Sequence, residues 1–328
     1  MTPRPIPFNL TPSILTINGA DSRAKASPPT VKSCGEAIVN GRQWLMEPNR
    51  PSRTAQGAAM HRAAHQILDI PPVFEDPLAL KIVGPEAEAE LRADASEHLG
   101  PARKALRAFI AARSRLSEDT LAEAVNQGVR QYVLLGAGLD TFAYRAARQF
   151  PGLAVFEVDH PATQAWKRER LEAAGVALPD RLTFAPVDFE TETLRDGLAR
   201  AGFDCAKAAV FAWLGVVPYL TREAIMATLA LIASLPRGTS VVFDYGEPAD
   251  ARNPAQRAAH EALSARVAQS GEPFRSFFKP DALMRDLRTL GFAQVEDFDS
   301  AALNTRYFAG RSDDLGLRGS GHLMRARV

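Results

Sequence analysis

The chain has 328 residues, with 39 lysine and arginine residues against 38 aspartate and glutamate residues, and a net charge of +1. Its 46% hydrophobic content can form a sizeable core, and its near-neutral charge excludes the strongly basic surface of a typical nucleic-acid-binding protein. Cys34 and Cys205 are too few for a disulfide framework, and no apolar run reaches membrane-spanning length. We therefore expect a cytoplasmic protein with neither nucleic-acid nor membrane partners.

The first 51 residues differ in composition from the rest of the chain. They hold eight of the 23 prolines, and neither helical nor strand periodicity persists in them. Such a segment cannot bury enough apolar surface to offset the entropy of ordering it, so we predict a disordered extension over residues 1–51. Met46 is a candidate translation start, because the patterned sequence begins just after it.

Residues 52–128 are predicted to form a helical section. Apolar residues recur at helical spacing over residues 60–68 and 106–116, and Ser117 is predicted to begin a further helix. The arginines of this section are predicted to form a solvated face, with a position in the ligand cleft as the alternative for Arg113: Arg103, Arg107, Arg113 and Arg115. No metal site is predicted, because the histidine pair lacks the glutamate of a zinc protease motif: His61 and His65.

The stretch that follows predicts a nucleotide site. An apolar strand over residues 132–135 leads into two glycines one residue apart, Gly136 and Gly138, and Asp140 then opens a helix. Strand, glycine turn and helix make the first half of a βαβ nucleotide-binding unit, in which glycines let the backbone approach a ligand closely. The next predicted strand ends at Asp159, about 20 residues on, where a ribose-binding acid is expected.

Thr141 bears on which nucleotide this unit binds. A dinucleotide fingerprint has a third glycine where Thr141 stands. Without that glycine, close helix packing and a pyrophosphate seat are not expected. A ligand that carries adenine and ribose without a pyrophosphate, such as S-adenosyl-L-methionine, fits the sequence better. An ordinary strand, turn and helix with structural glycines is the alternative interpretation.

From residue 129 onwards, strands and helices are predicted to alternate, which indicates a doubly wound, mostly parallel α/β sheet. Aspartates end three of the predicted strands, and ligands of such sheets bind beyond the carboxyl ends of the strands: Asp159, Asp188 and Asp244. We therefore predict three regions, namely the extension over residues 1–51, a helical section or lid over residues 52–128, and a ligand-binding core over residues 129–328.

Several motifs together resemble the leucine carboxyl methyltransferase family and its bacterial O-methyltransferases. The resemblance extends from about residue 54 to the C-terminus. It implies a class I methyltransferase fold, which is Rossmann-like and has seven strands with the last one antiparallel, and it implies S-adenosyl-L-methionine as the methyl donor. The segments that carry the resemblance are 135–141, 156–161 with Lys167, 187–188, 213–220, 271–273, 291–292 and 306–311.

The resemblance also implies roles at the donor site. Asp159 would hold the ribose hydroxyls, Asp188 would accept a hydrogen bond from the adenine amine, and Arg113 would pair with the methionine carboxylate. Further residues would line the donor, the last of them beside the adenine ring: Gly136, Ala137, Gly138, Asp140 and Phe189.

Two positions depart from the family pattern. Phe142 stands where the family often has arginine, and Leu214 stands where it often has a glutamate close to the donor. Leucine cannot accept a hydrogen bond from the donor's ammonium group. Backbone carbonyls near Gly136 could hold that group instead, or the affinity for the donor could be low.

The expected function is transfer of a methyl group to a carboxylate or hydroxyl of a small molecule of the secondary-metabolite type. A carboxylate is ionised at pH 7, whereas a hydroxyl would benefit from a general base. Tyr219 and Arg306 are the candidate residues on the acceptor side. The alternatives are a protein C-terminal carboxyl methyltransferase, a nicotinamide-dependent oxidoreductase and a donor-binding protein without catalysis. The sequence leaves the acceptor and the oligomeric state open.

Deleting residues 1–45 should leave the fold intact, because the deleted segment contains no patterned apolar residues whose burial would be lost. We expect the melting temperature of the shortened chain to match that of the full chain. A fall of more than a few degrees in a thermal melt would show that this segment packs on the rest of the protein.

Overall fold

A single seven-stranded sheet organises the chain. The structure, a computed structural model, describes residues 52–146, 149–188, 191–252, 254–269 and 273–328. The predicted extension and Phe189 therefore lie outside the described residues. The strands are β1 (Gln131–Leu135), β2 (Ala154–Asp159), β3 (Leu182–Pro186), β4 (Val210–Trp213), β5 (Ser240–Gly246), β6 (Gln294–Phe298) and β7 (Gly321–Arg327).

The strand order is β3-β2-β1-β4-β5-β7-β6. The first five strands of this order are parallel, and β7 runs antiparallel to both β5 and β6. The predicted doubly wound sheet, including its antiparallel last strand, is confirmed. Because β2 and β4 flank β1 on opposite sides, the strand order reverses between β1 and β4, which is where such sheets leave a crevice for a ligand.

Helices cover both faces of this sheet, as the alternation of apolar side chains along β1 requires. Val133 and Leu135 belong to one buried cluster, while Tyr132 and Leu134 belong to another. The helices are α1 (Arg53–Leu68), α2 (Ala79–Val83), α3 (Pro85–Ala93), α4 (Pro101–Asn126), α5 (Phe142–Arg145), α6 (Pro161–Ala173), α7 (Leu194–Arg200), α8 (Arg222–Ala233), α9 (Pro254–Gln269), α10 (Pro280–Leu290) and α11 (Ser300–Tyr307).

Helix α4 is one continuous helix, so the prediction that Ser117 begins a new helix was wrong. The Ser117 side chain is buried and lies 2.9 Å from the hydroxyl of Tyr132 on β1. Serine is a common first residue of a helix, but its hydroxyl can equally bond across a packed interface. The local pattern therefore could not distinguish a helix start from a helix interior at this position.

The helical section is joined by a buried cluster of charged and polar groups. Arg107 on α4 donates two hydrogen bonds to Asp69, at 2.6 and 2.9 Å. The His65 ring contacts the same carboxylate at 2.8 Å. Arg107 is only 2% exposed, so the prediction that it belongs to a solvated face was wrong. Its partner lies 38 residues away, and helical periodicity carries no information about such a pair.

Replacing Asp69 by alanine should destabilise the fold by about 3–5 kcal/mol, because it leaves the Arg107 guanidinium buried without its counter-charge. Burial raises the pKa of Asp69, but hydrogen bonds from Arg107 and His65 hold it below its ordinary value of 3.8. The ionised carboxylate therefore stabilises the fold above that value, and this contribution is lost as the pH falls. In urea unfolding, the free energy of unfolding should be lower for the variant than for wild type at pH 7, and this difference should be smaller at pH 3.

The exposed Glu90 on α3 offers a matched control for this substitution. Glu90→Ala should leave the free energy of unfolding close to that of wild type at both pH values. An Asp69→Ala variant as stable as Glu90→Ala would contradict the assigned role of the buried cluster.

Candidate functional site

A cavity of about 1150 Å³ opens at the carboxyl ends of the central strands. The turn after β1, the end of β2, the loop after β4 and the end of β5 form its floor. The first turn of α1, one face of α4 and residues 273–277 add walls. The cavity thus lies over the point where the strand order reverses, as the sequence predicts for a ligand site.

The turn after β1 requires both of its glycines. Gly136 and Gly138 have φ angles of 66° and 46°, a region that residues with a Cβ rarely adopt. A Cβ on Gly136 would lie 2.4 Å from Val216 Cγ2, and one on Gly138 would lie 3.0 Å from Ala55 Cβ. The N–H of Gly136 donates to the Val158 carbonyl at 2.8 Å, which ties the turn to β2.

Asp159 is held in a fixed orientation at the end of β2. Its Oδ2 accepts from the Gly138 N–H at 2.6 Å and its Oδ1 accepts from the His160 N–H at 2.7 Å. Burial raises the pKa of Asp159, and the two backbone hydrogen bonds oppose that shift. The side chain lines the cavity, and its oxygens have further lone pairs with which to accept hydrogen bonds from a ligand's hydroxyl groups.

Buried polar side chains hold the glycine turn in place. Arg62 on α1 donates to the Leu139 carbonyl at 2.5 Å and to Asp76 at 3.1 Å. The Thr141 hydroxyl donates to the same Asp76 carboxylate at 2.7 Å. Asp76 is 1% exposed. The residue that replaces the third glycine of a dinucleotide fingerprint therefore has a structural partner, which explains why threonine occupies that position.

Arg113 lies in the cavity wall and pairs with a strand-end aspartate. Its Nη1 lies 3.2 Å from Asp244 Oδ2, and the other oxygen of Asp244 accepts from the Gly215 N–H. A Cβ on Gly215 would lie 2.9 Å from both terminal nitrogens of Arg113, so glycine makes room for the guanidinium. The nearby acid Glu118 instead pairs with Arg145. Arg113 therefore does not belong to the predicted solvated face.

The cavity brings together most of the residues predicted for the donor and acceptor sites. Arg306 is not among them, because it lies at the last turn of α11, with its side chain 3.9 Å from Asp119 and 38% exposed. Asp188 follows β3 and is also outside the cavity lining; its N–H donates to Glu192 at 3.2 Å. The predicted residues that do line the cavity are Arg113, Gly136, Ala137, Gly138, Asp140, Asp159, Leu214 and Tyr219.

The two departures from the family pattern have different surroundings. Phe142 is buried, and its ring meets that of Tyr132 edge to face at 4.7 Å, as aromatic pairs prefer. Leu214 lines the cavity directly. Phe142 is thus a core residue beneath the site, whereas Leu214 presents hydrocarbon to a ligand.

Sequence reasoning did not single out Arg62, Asp76 or Gly215 as parts of the site. Each of them has a partner that lies 29 or more residues away in the chain. Arg62 and Asp76 also pair with each other. No local motif could have indicated them. Asp244 was noted as a strand end, and that signal was sufficient to place it at the ligand edge of the sheet.

Neither a membrane-spanning helix nor a cluster of metal-binding side chains occurs within residues 52–146, 149–188, 191–252, 254–269 and 273–328. No helix in these ranges is long and apolar enough to cross a membrane. No group of three or more His, Cys, Asp or Glu side chains there is placed to hold a metal ion. His65 uses its ring nitrogens structurally, on Asp69 and on the N–H groups of Val73 and Phe74.

Comparison with known proteins agrees with the fold and places the chain among methyltransferases. The family model described as leucine carboxyl methyltransferase matches residues 55–233. YktD of Bacillus subtilis, provisionally named an S-adenosyl-L-methionine-dependent methyltransferase, is 31% identical over 293 residues, which cover 82% of this chain and 95% of that protein. A Frankia alni protein with the same provisional name is 36% identical over 197 residues, covering 58% of this chain and 66% of the relative.

A solved structure shares the fold. The crystal structure of a protein from Thermobifida fusca, provisionally named a methyltransferase, superposes with a TM-score of 0.51 at 18% identity. The match covers 86% of this chain and 96% of that one. At this level of identity the likeness concerns the arrangement of strands and helices alone.

Replacing Gly136 by alanine should lower the free energy of unfolding by more than the backbone conformation alone explains. A residue with a Cβ loses about 1–2 kcal/mol in this region of φ, and the contact with Val216 should add about 1–3 kcal/mol. Gly175 has a similar φ of 65° with nothing within 4 Å of its would-be Cβ, so Gly175→Ala isolates the backbone cost. Equal free energies of unfolding for the two variants would show that the Val216 contact relaxes freely.

Proposed function

We propose that this chain, which belongs to the leucine carboxyl methyltransferase family and is an S-adenosyl-L-methionine-dependent methyltransferase, methylates a carboxylate or hydroxyl oxygen of a small molecule. The observation that carries the proposal is the convergence of the glycine turn, Asp159 and Arg113 on one cavity at the ligand edge of the sheet. The glycine turn and Asp159 match the nucleoside of the donor, and Arg113 matches its methionine carboxylate.

The glycine turn and Asp159 suit the nucleoside part of the donor. The missing Cβ atoms of Gly136 and Gly138 let the turn pack closely on Val216 and Ala55. Both glycines line the cavity, so a ligand can lie against the backbone of the turn. The Asp159 carboxylate is already oriented by two N–H groups, and it can accept hydrogen bonds from two vicinal ribose hydroxyls. These features also suit a dinucleotide, but Thr141 takes the place of the glycine that a pyrophosphate seat needs.

Arg113 suits the methionine carboxylate. A guanidinium can bind a carboxylate through two parallel hydrogen bonds, and Arg113 is only 12% exposed, so water competes weakly. Asp244 holds the guanidinium in place through a contact of 3.2 Å to Nη1. The methionine ammonium group cannot use Leu214, and we propose that backbone carbonyls of the turn near Gly136 accept its hydrogen bonds.

Catalysis would then depend on positioning more than on acid–base chemistry. The donor would supply a methyl group on a sulfonium, so that attack by an acceptor oxygen on the methyl carbon breaks the C–S bond and releases S-adenosylhomocysteine as a neutral thioether. This chain's own residues hold the donor rigidly and exclude water with apolar walls, and both effects favour such a displacement. Tyr219 lines the cavity 5.3 Å from the ring of Phe274, and we propose that it contacts the acceptor. A cytoplasmic location stays a prediction from the sequence.

Product chemistry tests this proposal and separates its alternatives. Purified protein is incubated with methyl-labelled S-adenosyl-L-methionine and three acceptor panels: small aromatic and aliphatic acids, phenols and alcohols, and peptides ending in a free carboxylate. We expect label in the small-molecule panels, as base-labile esters or base-stable ethers. Label confined to peptides would favour the protein carboxyl methyltransferase, and label in none of the panels would contradict the proposal.

Donor binding is measured separately by calorimetry with S-adenosylhomocysteine. Asp159→Ala should lose about 1.5–3 kcal/mol for each hydrogen bond that the carboxylate makes to a ribose hydroxyl. Asp204, whose side chain is 41% exposed, provides a control, and Asp204→Ala should bind like wild type. Unchanged affinity in Asp159→Ala, or displacement of S-adenosylhomocysteine by NADH, would count against the donor assignment.

Arg113→Lys should weaken binding of S-adenosylhomocysteine by roughly tenfold or more, since lysine cannot reproduce the bidentate geometry. The same helix offers a matched control, because Arg115 pairs with Asp119 at 2.8 Å and is 49% exposed. Arg115→Lys should change neither donor affinity nor melting temperature. If the two variants bind the donor equally well, Arg113 has no role in holding it.

A further inference from the structure

The far side of the cavity has a continuous aromatic wall. The rings of Tyr219 and Phe274 are 5.3 Å apart, and the His260 ring stacks on Phe274 at 5.5 Å with a 21° interplanar angle. Phe277 meets His260 edge to face at 5.3 Å. Burial and the neighbouring Arg252 lower the pKa of His260 to about 4, so at neutral pH this ring is an uncharged part of the wall.

This wall is separate from the glycine turn and from Asp159. A Cβ on Gly246, at the end of β5, would lie 3.6 Å from the Phe277 ring. The glycine turn and Asp159 lie at the ends of β1 and β2, and β5 is two strands away from β1 in the sheet. At about 4.8 Å between neighbouring strands, roughly 10 Å separates the ends of β1 and β5. The aromatic wall therefore lies where an acceptor could bind beside the donor.

A buried cation adjoins the wall. Arg252 is 4% exposed and lines the cavity, and its guanidinium carbon lies 5.2 Å from the centre of the Phe277 ring. Its Nη2 donates to the Glu247 carbonyl. Its Nε is buried and has no hydrogen-bond partner among the described residues. The Glu247 carboxylate lies 3.7 Å from His322 Nε2.

Burying a guanidinium with an unsatisfied N–H costs free energy, because the charge and the N–H donor are both removed from water. A ligand that supplies a negative charge and a hydrogen-bond acceptor offsets this cost. Burial lowers the pKa of Arg252, and the nearby Glu247 carboxylate offsets only part of that shift. Arg252 lines the cavity, so a planar carboxylate bound there can balance the charge of the guanidinium and accept hydrogen bonds from it. A phosphate dianion would need more cations, and the other arginines on this side of the cavity, Arg275 and Arg318, are exposed.

We propose that the acceptor is an aromatic carboxylic acid, whose carboxylate binds Arg252 and whose ring packs on the wall formed by Tyr219, His260, Phe274 and Phe277. The inference rests on the proposed function, because it assigns an acceptor class to the same cavity. Arg252 is then a specificity-determining residue that holds an anionic group. It favours aromatic acids over neutral molecules of the same shape.

Two probes of one shape test the proposal: 2-naphthoate, which is anionic, and 2-naphthamide, its neutral counterpart. Their affinities are measured by calorimetry on the full chain with and without saturating S-adenosylhomocysteine. Wild type should bind the acid at least about tenfold more tightly than the amide. Arg252→Gln should lose that preference while binding the amide as wild type does, and Arg252→Lys should keep part of it.

Arg318 provides the charge-matched control, since it also borders the cavity but is exposed and pairs with Asp314 at 2.6 Å. Arg318→Gln should retain the full preference for the acid. The proposal is overturned if wild type binds acid and amide equally, if it binds neither at millimolar concentration, or if Arg252→Gln keeps the preference. Thermal melts check that each variant folds.

A second variant keeps the test decisive should Arg252→Gln fail to fold. Phe277→Leu removes one ring of the wall while keeping the cation. It should weaken the binding of both probes by a similar factor, several-fold, and preserve the preference for the acid. Loss of the preference in this variant would contradict the separate roles of wall and cation. The donor titration distinguishes this inference from the proposed function. If S-adenosylhomocysteine binds but the acid is not preferred over the amide, only this inference is refuted. An acid preference without S-adenosylhomocysteine binding refutes the proposed function instead.

Discussion

The hydrogen bond from the Gly138 N–H to the Asp159 carboxylate is the contact on which the site depends. It joins the turn after β1 to the end of β2, and it fixes both the backbone of the turn and the direction of the carboxylate. It forms only because Gly138 can take a positive φ and because nothing larger than a hydrogen faces Ala55. The position of the turn, and with it that of the cavity floor, follows from this contact.

Buried charges behind the turn make this arrangement rigid. Asp76 connects Arg62 of α1 with Thr141, and Arg145 of α5 pairs with Glu118 of α4. Burial raises the pKa of Glu118 to about 7, although Arg145 opposes that shift. Such clusters contribute little net stability, because the cost of desolvating their charges offsets the attraction between them. Their geometry is specific, however, and here it links three helices to one turn.

Much of the fold could be predicted from the sequence. The buried strands read as apolar runs because both faces of a parallel sheet are covered, and the helices between them show helical periodicity. The continuous α4 and the buried Arg107 could not be predicted, since a serine or an arginine within a helix has the same local pattern whether it is solvated or packed. Within the site, the glycine turn and Asp159 follow from spacing. Arg306 was predicted to contact the acceptor only because a guanidinium can bind a carboxylate, and residue type alone does not say where a side chain lies.

By itself, then, the sequence determined the strands, the glycine turn and the acid at the end of β2, because each depends on residues close together in the chain. The tertiary structure decided which charges meet. Arg113 pairs with Asp244, which is 131 residues away in the chain, and Arg62 donates to Leu139, which is 77 residues away. Arg252 lies beside an aromatic wall whose residues come from three separate segments. Pairing at such distances depends on how helices and strands pack in space, and periodicity along the chain records only which face of each element is buried.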